Sequence, residues 1–127
     1  MNTQPQRSVI PIYTSRGDAE AFLVYPYMYN RMGEWIGWVT ANRLVYSVLG
    51  FYVGDLTAEP RIVRKRFTAT LKPRRTPPAR PPHLAVPATI PLAPLMGDLR
   101  FGALDVLLDE PERMHTLDAG EQRQDLD

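Results

Sequence analysis

The residues best placed to bind a ligand are eight basic side chains between positions 60 and 85, a stretch without any acidic residue. Clustered cations can contact phosphates, and such binding weakens steeply with salt. Nine acidic residues between positions 86 and 127 offer an internal counter-charge. Nucleic-acid binding is therefore the alternative hypothesis for this chain, with these candidate phosphate contacts: Arg61, Arg64, Lys65, Arg66, Lys72, Arg74 and Arg75.

Residues for catalysis are scarce. The two histidines, His83 and His115, fall in a proline-rich stretch and a polar tail, where nothing holds a general base in place, and we expect both to be exposed. Asp105, Asp109 and Glu110 lack the ligand register and turn glycine of a calcium loop. With no cysteine in the chain, thiolate chemistry is excluded. We predict that the protein is not an enzyme and has no catalytic, cofactor-binding or metal-binding residue; no small-molecule substrate is evident.

A repeat organises the first half of the chain. Between Ile12 and Leu71 a tyrosine is followed after four residues by a glycine, and after four more by a small residue. The fourth copy is shorter, lacks the tyrosine and the turn glycine, and aligns Phe67 with Trp35 and Tyr52 of the second and third copies. Such units cannot bury an apolar face alone, so neighbours must stack. The repeat residues are Tyr13, Gly17, Ala21, Tyr29, Gly33, Gly37, Tyr46, Gly50, Gly54, Phe67 and Ala69.

Each copy is typical of a β-hairpin. Thr14, Asn30 and Ser47 stand three residues before the glycine, the preference of a type I turn with a left-handed residue and a G1 bulge. The outgoing strands alternate small or apolar residues on one face. The sequence therefore predicts an all-β domain of four short hairpins, with small residues marking a crowded line.

Two arrangements of the hairpins fit this pattern. One is a closed form around a pseudo-fourfold axis, which we favour because it leaves fewer exposed edges, and the other is an open meander of eight strands. Residues 9–71 resemble the small bacterial 4-fold β-flower domain. The resemblance rests on Tyr13, Tyr29, Tyr46 and the repeat glycines. That resemblance implies the radial fold and no established activity.

The composition divides the chain into five parts. A flexible N-terminus (1–8) precedes the hairpin domain (9–72), a proline-rich extended linker (73–94), an apolar docking segment (95–110) and a disordered acidic tail (111–127). We see no signal peptide and no apolar run of the ~20 residues that span a membrane. A cytoplasmic location without membrane insertion is expected.

The apolar residues suggest interaction rather than catalysis. We expect the repeat-phased aromatics to pack in the domain rather than to stack a ligand on Trp35 or Trp38. Phe22 and Trp38 are candidates for an outward apolar patch. The docking segment, which binds in cis or in trans, contributes Leu104, Val106, Leu107 and Leu108. We predict a non-catalytic interaction or assembly module with a protein partner or a homo-oligomeric state.

Overall fold

A computed structural model describes residues 8–66 and 72–119. The strands are β1 (Ile10–Tyr13), β2 (Ala19–Val24), β3 (Tyr27–Asn30), β4 (Trp35–Val39), β5 (Leu44–Ser47), β6 (Tyr52–Leu56), β7 (Ile62–Lys65) and β8 (Ala103–Asp105). A single helical turn α1 (Val106–Asp109) and a 3₁₀ turn (Pro111–Arg113) follow β8. The described part of the chain is thus all-β apart from a few short helical turns, which confirms the predicted class.

The strands form one curled antiparallel sheet in the order β1 to β8, so each strand pairs with its neighbours in chain order. This is the connectivity of a meander. Additional bonds link the two ends of the sheet: the Tyr13 backbone N–H donates to the Pro60 carbonyl at 3.0 Å. The N–H of Ser15 donates to the Asp105 carboxylate at 2.6 Å.

The predicted turns are confirmed in the first three copies. Gly17, Gly33 and Gly50 have φ values of +89°, +80° and +91°, which disfavour any residue with a Cβ. In each copy the glycine N–H donates to the carbonyl three residues earlier, and the register shifts beside the turn as in a G1 bulge.

A fourth turn of this kind joins β4 to β5 and was missed. Thr40 begins it, and Arg43 occupies the glycine position with φ of +66°. The Arg43 guanidinium donates to the carbonyls of Leu56 and Thr57, each at 2.8 Å. Those bonds compensate the conformational cost of a non-glycine residue.

The fourth hairpin is not confirmed, because the residues of its second strand lie outside the described part of the chain. β7 runs through Lys65, and its two edges pair with β6 and with β8. β8 thus takes the edge of β7 that lies away from β6. Phe67 and Ala69 lie outside the described residues.

The main core lies on the face of the sheet that carries the small repeat residues. Ala21 is fully buried, and a Cβ at Gly37 would overlap the Tyr46 carbonyl oxygen and lie 2.8 Å from the Met114 methyl. Gly37 therefore permits close approach of the next strand, as its type predicted. The segment after β8 closes this core with Leu104, Val106, Leu107 and Met114. Ordered packing thus continues beyond residue 110, into the stretch predicted to be disordered.

The opposite face is also covered, which corrects one prediction. Phe22 is fully buried and Trp38 is 7% exposed, so they do not form an outward patch. Trp38 stacks on Tyr46 with ring centroids 5.1 Å apart, and Phe22 lies between Pro11 and Tyr29 in the strand register. Tyr29 and Trp35 form a second buried cluster with Val24 and Val48. The aromatics named here therefore pack within the domain, whereas Phe51 is 50% exposed.

Candidate functional site

The proline-rich segment lies on the hairpin turns. We call residues 72–96 the strap. The Arg75 N–H donates to the Gly50 carbonyl at 2.9 Å, and the Leu84 N–H donates to the Gly33 carbonyl, also at 2.9 Å. Both turn glycines are buried beneath the strap. The segment has neither helix nor strand, as predicted, but it contacts the domain rather than only extending from it.

At the first turn the contact changes. Gly17 is exposed, and a Cβ placed there would meet only the Ala93 Cβ, at 3.7 Å. The strap is held here by the Tyr13 hydroxyl, which donates to the Pro91 carbonyl at 2.8 Å. Arg75, Leu84 and Ala93 are nine residues apart along the strap and lie on successive turns in reverse order.

Burial along the strap has a period close to three. Half-buried residues recur at every third position, with Ile90 in the same series at 36% exposure. A polyproline II helix has three residues per turn, so such positions share one face, and nine residues return to it. Pro77 and Val86 are half-buried as well. The half-buried members of the series are Pro78, Pro81, Leu84, Pro87, Ala93 and Met96.

Three of the candidate phosphate contacts lie on aromatic rings of the third hairpin. Lys72 lies 5.6 Å from the Tyr52 ring centroid, Arg74 lies 4.7 Å from that of Phe51, and Arg75 lies 5.7 Å from that of Tyr46. Arg74 Nε also donates to the Leu49 carbonyl at 2.7 Å. These cations seat the start of the strap through cation–π contacts.

Arg61 and Arg64 are engaged inside the protein. Arg61 is 4% exposed and pairs with Glu59 at 2.9 Å. Its Nη1 donates to the Ser15 hydroxyl at 2.8 Å. Arg64 forms an ion pair with Glu110. Both Nε atoms are buried without a hydrogen-bond partner.

Lys65 and Arg66 are the exposed members at the end of β7. The Arg66 backbone N–H donates to the Gly102 carbonyl, beside the β7–β8 pairing. The seven predicted phosphate contacts are therefore dispersed over the end of β7, the interior and the third hairpin rather than gathered on one basic surface.

The predicted docking segment supplies strand β8 to its own sheet. Val63, Arg64 and Lys65 pair with Asp105, Leu104 and Ala103. Leu104, Val106 and Leu107 are buried, and Leu108 is half-buried. In the described structure this segment docks in cis, the arrangement that the sequence left open.

Asp105 fastens this strand to the first turn. It is 1% exposed, and its Oδ2 accepts hydrogen bonds from the Ser15 N–H at 2.6 Å and from the Ser15 hydroxyl at 2.7 Å. Its Oδ1 accepts from the Leu108 N–H at 3.3 Å, which caps α1. Donors on both oxygens remove the cost of burying an unpaired polar group.

A cleft of about 790 Å³ lies between the end of β6 and residues 97–103. Charges of both signs line it, including Asp55, Asp98 and Arg100. Tyr52 donates to Asp55 at 2.6 Å, and burial together with this carboxylate raises the pKa of the Tyr52 hydroxyl. A hydroxyl that is harder to ionise is a poor nucleophile or base near neutral pH.

Among the described residues, no group of three or more histidine, aspartate or glutamate side chains is placed to hold a metal ion. His83 is exposed, whereas His115 is half-buried with Nδ1 2.9 Å from the Thr116 carbonyl, which corrects the expectation of exposure. Within residues 8–66 and 72–119, no helix has the length and apolarity needed to cross a membrane.

Comparison with family models, curated proteins and solved structures gave no match to this chain. The resemblance to the 4-fold β-flower domain therefore rests on the repeat residues alone.

Sequence reasoning missed the strap as a packed element, although a signal exists. From Pro78 to Leu99 every third residue is apolar or small, the expected stripe for a polyproline II segment with one buried face. The Ser15–Asp105 contact has no comparable signal, because 90 residues separate its partners.

Proposed function

We propose that the protein is a non-catalytic, cytoplasmic interaction or assembly module, a β-hairpin platform that receives a C-terminal segment. The main support for this proposal is the position of β8 in the sequence. Its three residues come from far along the chain and pair with the edge of β7. Strand addition is a common mode of peptide recognition, in which main-chain bonds give affinity and alternate side chains give specificity.

The contacts of the C-terminal segment support a role in assembly. The strap bonds to two hairpin turns, and the residues after it add β8 and fill the core. An identical copy offers the same acceptors and the same β7 edge, so exchange of this segment between copies is a low-cost route to a homo-oligomer. Docking in cis and in trans would use the same contacts.

The closed arrangement is part of the proposal. The bonds from Tyr13 to Pro60 and from Ser15 to Asp105 bring the first hairpin to the last strands, which favours hairpins placed around a pseudo-fourfold axis over a flat open sheet. The three confirmed hairpin turns and the resemblance to the 4-fold β-flower domain are consistent with this arrangement.

The nucleic-acid hypothesis has less support. Arg61 and Arg64 are engaged with Glu59 and Glu110, and three further cations lie on rings. A filter-binding titration at low ionic strength tests it, since a basic surface that binds DNA or RNA binds most tightly there.

A cysteine pair tests the proposed module directly, because the natural chain has no cysteine. Lys65 and Ala103 are register partners, and paired positions on antiparallel strands lie within disulfide reach. The Lys65→Cys/Ala103→Cys variant should form a disulfide on oxidation. A disulfide within one chain indicates docking in cis, and a disulfide between two chains indicates exchange of the segment. Lys65→Cys paired with Ala85→Cys is the matched control.

Light scattering and a pull-down with the full chain complete the test. We expect either a covalent dimer or recovery of a specific protein partner by the chain. A cross-linked monomer that scatters as a monomer and recovers no partner would refute the assembly role, and absence of any cross-link would refute the docking of β8 on β7.

A further inference from the structure

We propose that the row of hairpin turns is a polyproline-binding track, which recognises a proline-rich segment in polyproline II conformation at nine residues per hairpin. In the structure the strap occupies this track. The inference rests on the proposed function, because it names the ligand class of the hairpin platform.

The acceptors of the track are regularly placed. The hairpin repeat presents one turn carbonyl per hairpin, and the carbonyls of Gly50 and Gly33 both accept a backbone N–H from the strap. The donors are Arg75 and Leu84, two residues with an N–H in a proline-rich stretch. A polyproline II segment has no internal hydrogen bonds, so such N–H groups are free for an external acceptor.

Side-chain contacts select the face of the ligand. Leu84 packs against the cluster that contains Tyr29 and Trp35, while Arg75 lies over the Tyr46 ring. Aromatic side chains beside a repeated acceptor are the usual construction of proline-recognition surfaces. The track therefore favours a segment with an apolar residue at every third position and a non-proline residue at every ninth.

Covalent attachment explains why the site is occupied by its own chain. A flexible tether gives a bound segment an effective concentration on the order of millimolar. A separate peptide at micromolar concentration cannot displace it. The track is thus a latent site, which becomes available when the strap is weakened.

The Leu84→Pro substitution weakens the strap selectively. Proline keeps the polyproline II conformation but has no N–H to donate to Gly33. Ala85→Pro is the matched control, since Ala85 is an exposed neighbour in the same stretch. The probe is a fluorescent peptide with the sequence of residues 72–95, titrated by anisotropy into the wild-type, Leu84→Pro and Ala85→Pro full chains.

We expect the peptide to bind the Leu84→Pro chain with a Kd at least tenfold lower than for the other two chains. A peptide that itself carries Leu84→Pro should bind that chain at least tenfold more weakly. Near-UV circular dichroism checks that each chain is folded, and Arg75→Pro is the second variant if Leu84→Pro does not fold.

Equal binding to all three folded chains, or binding to none, would overturn the track. The 65–103 cysteine pair, introduced into the Leu84→Pro chain, separates this failure from failure of the proposed module. If the cross-link forms but the peptide does not bind, only the polyproline-binding track is refuted. If the cross-link is absent from both the wild-type and the Leu84→Pro backgrounds, the proposed module is refuted.

Discussion

The first hairpin turn and the next two share a sequence pattern but are held in different ways. Gly33 and Gly50 are buried beneath backbone carbonyls of the strap, whereas Gly17 is exposed. The first turn is instead fastened by the Ser15 bonds to the buried Asp105 carboxylate. Thus the C-terminal segment is attached through backbone hydrogen bonds at the second and third turns, and through the Asp105 side chain at the first turn.

This difference distinguishes a requirement of the repeated turn itself from a requirement that the packing around the turn adds. The glycine at the left-handed position is required by the turn in all three copies, as the φ values show. Close packing over the glycine is an extra requirement in two of them. Replacing each glycine by alanine adds the same left-handed strain to all three turns. Any extra loss of unfolding free energy at Gly33 and Gly50 therefore measures their packing against the strap.

The largest effect is expected from Gly33→Ala and Gly50→Ala. A Cβ at either site would overlap a strap carbonyl oxygen and lie 3.2 Å and 3.1 Å from the carbonyl carbons of Leu84 and Arg75. Adding this overlap to the left-handed strain should lower the free energy of unfolding by about 3 kcal/mol. Denaturant titration measures it.

Gly17→Ala is the matched control for these variants. It carries the same positive φ but has only an ordinary contact above it, so we expect a loss of about 1 kcal/mol. Equal losses at all three turns would show that the strap does not rest on Gly33 and Gly50.

The next effect concerns the first turn. Asp105→Ala removes the acceptor of both Ser15 bonds and the cap of α1, so the donors of Ser15 and the Leu108 N–H lose this partner. We expect a loss of about 2 kcal/mol in unfolding free energy. Asp98→Ala, at an exposed position, should be close to neutral. Hydrogen exchange at the Ser15 amide locates the change, and an unaltered rate would contradict the assignment.

A smaller effect tests the strap at the first hairpin. Tyr13→Phe deletes the hydroxyl that donates to Pro91 and leaves the buried ring in place. The loss of one hydrogen bond should lower stability by about 1 kcal/mol. Tyr25→Phe is the control, because Tyr25 is 57% exposed. Thermal unfolding of the two variants side by side gives the comparison, and identical melting temperatures would exclude a role for the Tyr13 hydroxyl.

Local signals in the sequence predicted the strands of the first three hairpins, the three glycine turns and the close packing at Gly37. They depend on residues a few positions apart, and turn chemistry and alternation act at that range. The partner of β7 was mispredicted because the repeat suggested a neighbour, while the paired strand lies 40 residues beyond Val63. No local pattern distinguishes a strand that pairs nearby from one that pairs far away.

The candidate site divides in the same way. The period-three stripe of the strap is readable from Pro78 onward once burial of a polyproline II face is considered. Which turn each strap residue meets is not readable, since it depends on how the hairpins are placed in space. The burial of Phe22 and Trp38 was missed for this reason too, because their neighbours, Pro11, Tyr29 and Tyr46, come from other strands.

The smallest effect concerns another contact of the C-terminal segment, the ion pairs of Glu110 with Arg64 and Arg113, which depend on pH. Burial raises the pKa of Glu110, but hydrogen bonds from Arg113 and Arg64 outweigh it and lower the pKa below its usual value. The contribution of Glu110 to stability is therefore present above the unfolded pKa of about 4.3 and is lost as pH falls through the lower, folded value.

The wild type should have a higher melting temperature than Glu110→Gln at pH 6, and this gap in melting temperature should close in acid. The exposed Asp118→Asn should show no such gap, and a Glu110→Gln gap independent of pH would contradict the assignment. The strap bonds to Gly33 and Gly50 contain no titrating group, so acid should loosen the β8 end of the segment while the strap amides stay protected from exchange.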